Sequence, residues 1–210
     1  MLLKAWADGW SVVRRTPAPV EVAEGYRIDV GLPDHMTRYV LPAHVPALAA
    51  RLTEPGTWLK ICAADVVLDS RWEVQPLEYL MSARLSSEPP AVAPEYELQI
   101  GASDGVIEVL VTHLGEPAAR GKAAVVGEHA VMDQVITEPA HRRRGLGSTV
   151  MRALCAEATS HGATTGVLVA TADGQMLYSR LGWAVASPIT AARLRALDSP
   201  GERREGCSPR

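Results

Sequence analysis

The stretch that decides the fold is Val135-Ile136-Thr137-Glu138-Pro139-Ala140-His141-Arg142-Arg143-Arg144-Gly145-Leu146-Gly147-Ser148. It joins an apolar run typical of a β-strand to a segment with helical periodicity, and two glycines stand where the helix begins. The first N–H groups of a helix lack backbone partners and point, with the positive end of the helix dipole, at a common anion. Three successive arginines add positive charge, so the turn predicts a ligand with more than one phosphate.

Other phosphate-binding motifs fit this turn less well. A P-loop requires a lysine after its last glycine, whereas Ser148 follows Gly147. A dinucleotide fingerprint requires a third glycine, and Val150 occupies that position. A basic run that binds nucleic acid, or a solvated charge cluster at a helix start, would account for the arginines but for neither glycine.

The flanking segments predict a mixed sheet with helices on it. Upstream, four strand-like runs at 96–100, 106–111, 118–126 and 130–137 are separated by turn residues at hairpin spacing, which indicates antiparallel neighbours. Downstream, a helix from Leu146 to about His161, a buried strand at 166–171, a helix at 173–181 and a strand opening at 183–186 follow. The expected fold class is therefore α/β (α+β), with a mostly antiparallel sheet flanked by helices.

A Pro/Ser-rich segment at 86–94 interrupts both helical and strand periodicity. We predict that it links an N-terminal α+β lobe (1–85) to a second domain (95–190), and that the polar segment 196–210 is disordered. In the lobe, the pattern predicts strands at 26–30, 38–41, 58–62 and 79–85 and a helix at 42–52. Four tryptophans could line a substrate groove, but packing is the favoured use of these rings; they are Trp6, Trp10, Trp58 and Trp72.

Composition narrows the classes of partner. Hydrophobic residues make up 47% of the 210 residues, so a hydrophobic core is expected. The formal net charge is −3, so we do not expect a general positive field that would attract nucleic acid or an anionic membrane surface. The three cysteines show no zinc or redox spacing, so no metal is predicted. No run approaches about 20 apolar residues and no secretory pattern is present, so the expected location is cytoplasmic. Whether the chain forms a homodimer is left open.

Two motifs resemble those of the GNAT N-acetyltransferase superfamily. Arg142-Arg143-Arg144-Gly145-Leu146-Gly147 is similar to the family signature R/Q-x-x-G-x-G/A, and it follows an apolar strand and Pro139. Leu177-Tyr178-Ser179-Arg180-Leu181-Gly182-Trp183 is similar to the family segment L-Y-x-x-L-G-F, with Trp in place of Phe. The resemblance covers roughly residues 95–188 and leaves the N-terminal lobe unmatched.

The resemblance implies an N-acetyltransferase that uses acetyl-CoA to acetylate a primary amine of a small molecule or peptide by direct attack on the thioester. It places the cofactor between the fourth and fifth strands of the family sheet. The pantetheine arm is expected along Val135, Ile136 and Thr137. The pyrophosphate is expected at the turn, on Arg142, Arg143, Arg144, Gly145, Leu146, Gly147 and Ser148. A degenerate acyl-CoA-binding sensor or scaffold would carry the same glycines, so it stays the alternative.

Two residues are the leading candidates for proton transfer. Tyr178 matches the tyrosine that the family often uses as general acid, although a tyrosine packing the helix on the sheet would look the same. Asp133 is the sole carboxylate within 130–137, and alternation predicts that it shares a face with Val135 and Thr137. It is the leading candidate for the base, with a structural hydrogen bond as the other interpretation. His141 and Glu138 are weaker candidates, because they lie at the turn where the cofactor phosphates are expected. The asparagine that the family often has at the start of the last helix is represented here by Thr171 or Asp173.

Overall fold

The computed structural model describes residues 2–196, and the predicted disordered segment lies outside this range apart from its first residue. Within residues 2–196 the chain forms four α-helices and twelve β-strands. In chain order these are α1 (Leu2–Arg14), β1 (Val20–Val22), β2 (Gly25–Leu32), β3 (His35–Leu41), α2 (Pro46–Arg51), β4 (Thr57–Ile61), β5 (Trp72–Val74), β6 (Glu78–Arg84), β7 (Glu97–Ser103), β8 (Val106–His113), β9 (Glu116–Val126), β10 (His129–Thr137), α3 (Leu146–Ser160), β11 (Thr165–Ala170), α4 (Ala172–Arg180) and β12 (Ala184–Leu194).

The strands form one mixed sheet. Its order is β1-β2-β3-β4-β12-β6-β11-β10-β9-β8-β7, and β5 pairs with β12 beside this path. The pairings of β3 with β4 and of β10 with β11 are parallel, and the other pairings among the described residues are antiparallel. The predicted fold class, a mostly antiparallel sheet flanked by helices, is confirmed.

The second half of the chain follows its local signals closely. β7, β8, β9 and β10 are antiparallel neighbours, as the hairpin spacing predicts. α3, β11 and α4 then occur in the predicted order and within one or two residues of the predicted bounds. These elements are encoded locally, by turn glycines and by a change of hydrophobic period from two to about 3.6.

The segment 86–94 contains no helix or strand, yet the sheet continues across it. β6, which precedes the segment, lies between β11 and β12, which follow it. Every residue of β11 pairs with β6, from Thr165 opposite Arg84 to Ala170 opposite Tyr79. The division into two domains stays a prediction, but the strands on the two sides of the linker share one hydrogen-bonded sheet.

Five elements differ from the sequence-based expectation, and two of them are the short strands β1 and β5, which were not predicted. α1 was not predicted; its Trp6 and Trp10 pack on the sheet at helical spacing, and Val13 is buried one turn further on. The last strand was predicted to open at 183–186 with no end given; β12 continues to Leu194, because it gains β6, β4 and β5 as partners. α2 is shorter than the predicted 42–52 and begins at Pro46, a residue that favours the first helical position.

The helices cover opposite faces of the sheet. α1 approaches β10 so closely that a Cβ on Gly9 would clash with Val131 Cγ2. α3 packs on the other face, in the apolar cluster that contains the adjacent Met132.

Trp6 and Trp10 lie in the cluster beneath α1 and Trp72 in a third cluster, which confirms the packing interpretation for these three rings. Within residues 2–196, no helix combines the length and the apolar character needed to cross a bilayer.

Candidate functional site

The sheet opens between β10 and β11. These parallel strands pair only from His129 opposite Thr165 to Val131 opposite Val167, although β10 continues to Thr137 and β11 to Ala170. The outer side of β10 still pairs with β9 as far as Thr137 opposite Ala119. From Met132 to Thr137 the side of β10 that faces β11 therefore has no strand partner in the described part of the chain, and we call this side the open edge.

A β-bulge accounts for the divergence. The register of β10 against β9 shifts between Asp133 and Ile136, and Gln134 has a left-handed φ of 55°. A bulge bends its strand and increases the local twist, so β10 turns away from β11 at this point. A non-glycine residue in the left-handed region carries strain, and such residues concentrate at functional sites.

Because of the bulge, the side chain of Asp133 does not share a face of the sheet with Val135 and Thr137, as alternation had predicted. Simple alternation placed its side chain with those of Val135 and Thr137. In the structure Asp133 contacts Arg14 of α1, whereas Val135 and Thr137 lie near Gly121 and Gly147 on the α3 side. The extra residue of the bulge moves the side chains after it to the other face, so strict alternation fails here.

The divergence creates a cleft of about 1070 Å³ that reaches both faces of the sheet. Among the predicted site residues, the following line it: Asp133, Val135, Ile136, Thr137, Arg142, Arg143, Gly145, Leu146, Gly147, Ser148 and Tyr178. The sequence had placed these residues on separate elements. The structure brings them together around one cleft, at the upper end of the usual size range for small-molecule sites.

The turn at the mouth of the cleft presents backbone N–H groups. Gly145 is the N-cap of α3 with a left-handed φ of 83°, and Arg143 is also left-handed at 62°. The first hydrogen bonds of the helix run from the N–H groups of Ser148 and Thr149 to the carbonyl of Gly145, at 2.9 and 3.1 Å. The N–H groups of Leu146 and Gly147 precede these bonds, so they are available to an anion in the cleft.

The two glycines serve different purposes. A Cβ on Gly145 would meet no atom within 4 Å, so this position needs glycine for its backbone conformation. A Cβ on Gly147 would lie 3.0 Å from Leu177 Cδ2. Gly147 therefore allows α3, α4 and the end of β10 to approach one another beside the cleft.

The three arginines of the turn diverge. Arg142 donates from Nε to the Thr137 carbonyl at 3.2 Å, and both Arg142 and Arg143 line the cleft. Arg144 donates instead to the hydroxyl of Tyr96 at 3.3 Å. That hydroxyl lies 3.1 Å from His141 Nδ1. The guanidinium of Arg144 is thus directed to a Tyr–His cluster, while the other two arginines supply charge at the cleft.

Tyr178 lies on α4 beside the open edge. Its side chain is buried, with 9% of the residue exposed. Burial, and secondly the negative charge of Asp133, raise the pKa of Tyr178 to about 12. Thr171 caps α4 by accepting a hydrogen bond from the Gly174 N–H at 3.2 Å. Both Thr171 and Asp173, the residues at the family's asparagine position, line the cleft.

Asp133 is held by an ion pair. Arg14 donates from Nε to Oδ2 at 2.5 Å and from Nη2 to Oδ1 at 3.3 Å, which engages both carboxylate oxygens. The Asp133 side chain is 19% exposed and that of Arg14 is 39% exposed. Charge-assisted bonds of this kind fix the carboxylate at the inner end of the cleft.

Arg14 is a cleft residue that the sequence interpretation missed. It lines the cleft from the last turn of α1, 119 residues before Asp133. The helical spacing of Trp6, Trp10 and Val13 could have revealed α1, but no local pattern indicates which carboxylate its last arginine contacts. The bulge at Gln134 had no sequence signal either, since it depends on pairing with β9.

Comparison with known proteins agrees with this geometry. A family model described as the Acetyltransferase (GNAT) family matches residues 74–183, more than half of the chain. No curated protein matches. A GCN5-related N-acetyltransferase from Kribbella flavida is similar over 96% of each chain, with 16% identity and a TM-score of 0.60. A GNAT-family structure from Novosphingobium aromaticivorans covers 82% of this chain and 89% of its own, with 20% identity and a TM-score of 0.56.

At these identities the solved structures share the fold with this chain. The Kribbella protein is similar along nearly the whole chain, so the common fold includes the N-terminal strands. The family match begins at residue 74, just before β6. It therefore takes in the strand that pairs with β11 and β12 from the other side of the linker. By its motifs, its opened sheet and its family match, the chain belongs to the GNAT acetyltransferase family.

Proposed function

We propose that this protein is an acetyl-CoA-dependent N-acetyltransferase that acetylates a primary amine. The observation that carries the proposal is the open edge of β10, which leads directly to the left-handed turn at Gly145. An extended molecule that ends in phosphates matches both features. Its amide groups would pair with the strand edge and its phosphates would meet the helix N-terminus.

The cleft residues suit the parts of CoA in order. Val135, Ile136 and Thr137 offer backbone groups to the pantetheine arm, and the N–H groups of Leu146 and Gly147 face the pyrophosphate. Arg142 and Arg143 add charge for phosphate oxygens. When bound, acetyl-CoA supplies an acetyl group activated as a thioester.

Transfer forms the C–N bond of an amide and breaks the C–S bond of the thioester. One proton must therefore leave the amine nitrogen and one must reach the departing sulfur. Tyr178 suits the second task because its raised pKa, about 12, keeps the hydroxyl protonated at neutral pH. The hydroxyl then serves as the proton donor to the leaving thiolate.

Asp133 is the proposed acceptor of the amine proton. Its charge influences Tyr178, so the two groups lie within electrostatic reach of each other at the inner end of the cleft. The ion pair with Arg14 holds the carboxylate in place. In this proposal Arg14 positions the base, and the carboxylate turns one oxygen toward the incoming amine.

The same ion pair favours one alternative. If Arg14 occupies Asp133 permanently, the protein binds acyl-CoA as a sensor or scaffold and does not turn it over. The alternative predicts CoA affinity with no release of free thiol in the presence of amines.

Three measurements test the proposal. Mass spectrometry of the purified protein should detect CoA, and calorimetry should give saturable binding of acetyl-CoA. Thiol release from acetyl-CoA should then depend on an added primary amine, with the N-acetyl product identified by mass. Absence of acetyl-CoA binding would refute the proposal, whereas binding with no amine-dependent thiol release would establish the sensor.

A further inference from the structure

Three arginines from two elements line the cofactor cleft. Arg142 and Arg143 belong to the turn before α3, and Arg180 comes from the last turn of α4. The ion pairs found within residues 2–196 involve none of the three. The cleft therefore contains three cations that form no ion pair with a carboxylate of the described chain.

The packing of α4 places Arg180 at the same end of the cleft as the glycine turn. A Cβ on Gly147 would lie 3.0 Å from Leu177 Cδ2, so α4 packs against the first turn of α3 at Leu177. Arg180 follows Leu177 by three residues, which makes the two side chains neighbours on one face of the helix. Arg180 is exposed, so its guanidinium is accessible to a ligand at this end of the cleft.

The other end of α4 carries the opposite charge. Thr171 caps the helix and Asp173 lies in its first turn. Both residues line the cleft and also a second cavity of about 520 Å³. About 10 Å of helix separates Asp173 from Arg180. The acidic and the basic residues of α4 thus lie at different ends of the cleft, and the end beside the glycine turn favours anions.

The pyrophosphate of CoA does not account for all of the positive charge at that end. In the proposed function its roughly two negative charges meet Arg142, Arg143 and the first N–H groups of α3. Arg180 adds a cation from the opposite wall of the cleft. CoA carries one more phosphate, on the 3′-oxygen of its ribose, and a phosphate monoester has a charge of about −1.5 to −2 at pH 7. The ribose connects this group to the pyrophosphate, so both phosphate groups belong to the same end of the ligand.

We infer that Arg180 binds the 3′-phosphate of CoA and makes the protein selective for CoA over thioester carriers that lack this phosphate. The inference rests on the proposed function and adds a specificity-determining residue to it. A guanidinium suits a phosphate monoester because its N–H groups donate to two phosphate oxygens at once. The ribose then lies on the α4 side of the turn.

The test compares acetyl-CoA with acetyl-3′-dephospho-CoA, which differ only in this phosphate. Calorimetry on the full chain should give an affinity for acetyl-CoA about 10- to 30-fold higher, which corresponds to one guanidinium about 4 Å from the phosphate charge in water. Arg180→Met should reduce this preference to about threefold or less, because the remaining arginines act over longer, screened distances. Its affinity for the dephospho compound should change little, since the pyrophosphate contacts are kept.

Salt provides a second readout. Arg180 is exposed, so its interaction with a phosphate is screened. The preference of the wild type for acetyl-CoA should therefore fall as the salt concentration rises. The smaller preference of Arg180→Met should depend less on salt.

Arg152→Met provides a matched control. Arg152 lies on α3 outside the lining of the cleft, and it pairs with Glu88 at 3.0 Å. Loss of its charge should leave the preference for acetyl-CoA at the wild-type value. If Arg180→Met does not fold, Arg180→Lys takes its place, because it keeps the positive charge at the end of α4. Without the planar guanidinium, Arg180→Lys should bind acetyl-CoA more weakly than the wild type and the dephospho compound equally well.

The outcomes separate the two proposals. Failure of the wild type to bind acetyl-CoA would remove the proposed function and the role of Arg180 with it. Equal wild-type affinity for acetyl-CoA and acetyl-3′-dephospho-CoA would overturn the role of Arg180 and leave the proposed function intact. A folded Arg180→Met that keeps the wild-type preference, or an Arg180→Lys with wild-type affinity for both compounds, would overturn it as well.

Discussion

Substitution of Gly145 tests whether the turn binds phosphate, because alanine and glutamate at this position carry the same backbone strain and differ in charge. Gly145 has a φ of 83°, so either side chain adds strain of about 1–2 kcal/mol to the folded state. A Cβ here meets no atom within 4 Å, so neither variant introduces a clash. Both should fold, and the glutamate should be the more stable by about 0.5 kcal/mol through its interaction with the α3 dipole.

CoA affinity should rank the two variants in the opposite order to their stability, with Gly145→Ala binding CoA more tightly than Gly145→Glu. A carboxylate about 5 Å from one phosphate charge is repelled by about 0.8 kcal/mol in bulk water and by about 3 kcal/mol at the effective dielectric constant of a protein surface. For the roughly two charges of a pyrophosphate the sum is about 2–7 kcal/mol. Gly145→Glu should therefore bind CoA at least about 20-fold more weakly than Gly145→Ala, and in the stronger limit not measurably.

Calorimetric titration of CoA into the wild type and both variants, at low and at high salt, measures this difference. Thermal unfolding of the same samples reports whether the fold is intact. The gap between the variants should narrow at high salt, because screening weakens a partly exposed repulsion. Equal CoA affinity for two folded variants would refute the placement of the pyrophosphate at this turn.

Three further substitutions test the chemistry and the packing. Tyr178→Phe keeps the ring and should lower kcat by about 10²-fold with little change in the KM for acetyl-CoA; near-normal kcat would make Tyr178 a packing residue. Because burial raises the pKa of Tyr178 from 10 to about 12, its contribution to stability is present below pH 10 and is lost as the pH rises toward 12. Between pH 10 and about 12, the unfolding midpoint of the Phe variant should therefore fall less steeply than that of the wild type. Equal slopes for the two proteins would contradict the burial of the Tyr178 hydroxyl. Asp133→Asn should reduce activity most at low pH, where the amine depends on a base, and a pH-independent loss would instead indicate a structural role. Gly121→Val should destabilise the fold by about 1–3 kcal/mol in chemical denaturation, because a Cβ there lies 2.6 Å from Val150 Cγ1. The control Gly101→Val, with nothing within 4 Å, should change little; equal effects would show that α3 does not pack as described.

Several features of the site were predictable because they are local. The glycines at 145 and 147, the start of α3 and the order of β10, α3, β11 and α4 all follow from residues close together in the chain. Hydrophobic period, turn chemistry and helix-start signals act over a few residues, so one sequence suffices to read them. The position of Tyr178 beside the cleft followed from the same order of elements together with the family resemblance.

Other features depend on distant pairing. Asp133 was identified as a candidate, but alternation predicted that its side chain shares a face with Val135 and Thr137. The bulge at Gln134 breaks this alternation. The partner of Asp133, Arg14, comes from a helix at the other end of the chain. No periodicity connects two residues 119 positions apart.

The sequence by itself determined the GNAT motifs, the glycine turn at 145–147 and the helix that begins there, because these are encoded in contiguous residues and in backbone conformations that glycine permits. The tertiary structure alone decided that β6 enters the sheet between β11 and β12, that the sheet opens beyond Val131, and that Arg14 contacts Asp133. These outcomes depend on which strands pair and in which register. That choice is made by the burial of apolar faces across the whole sheet, and not by any one segment.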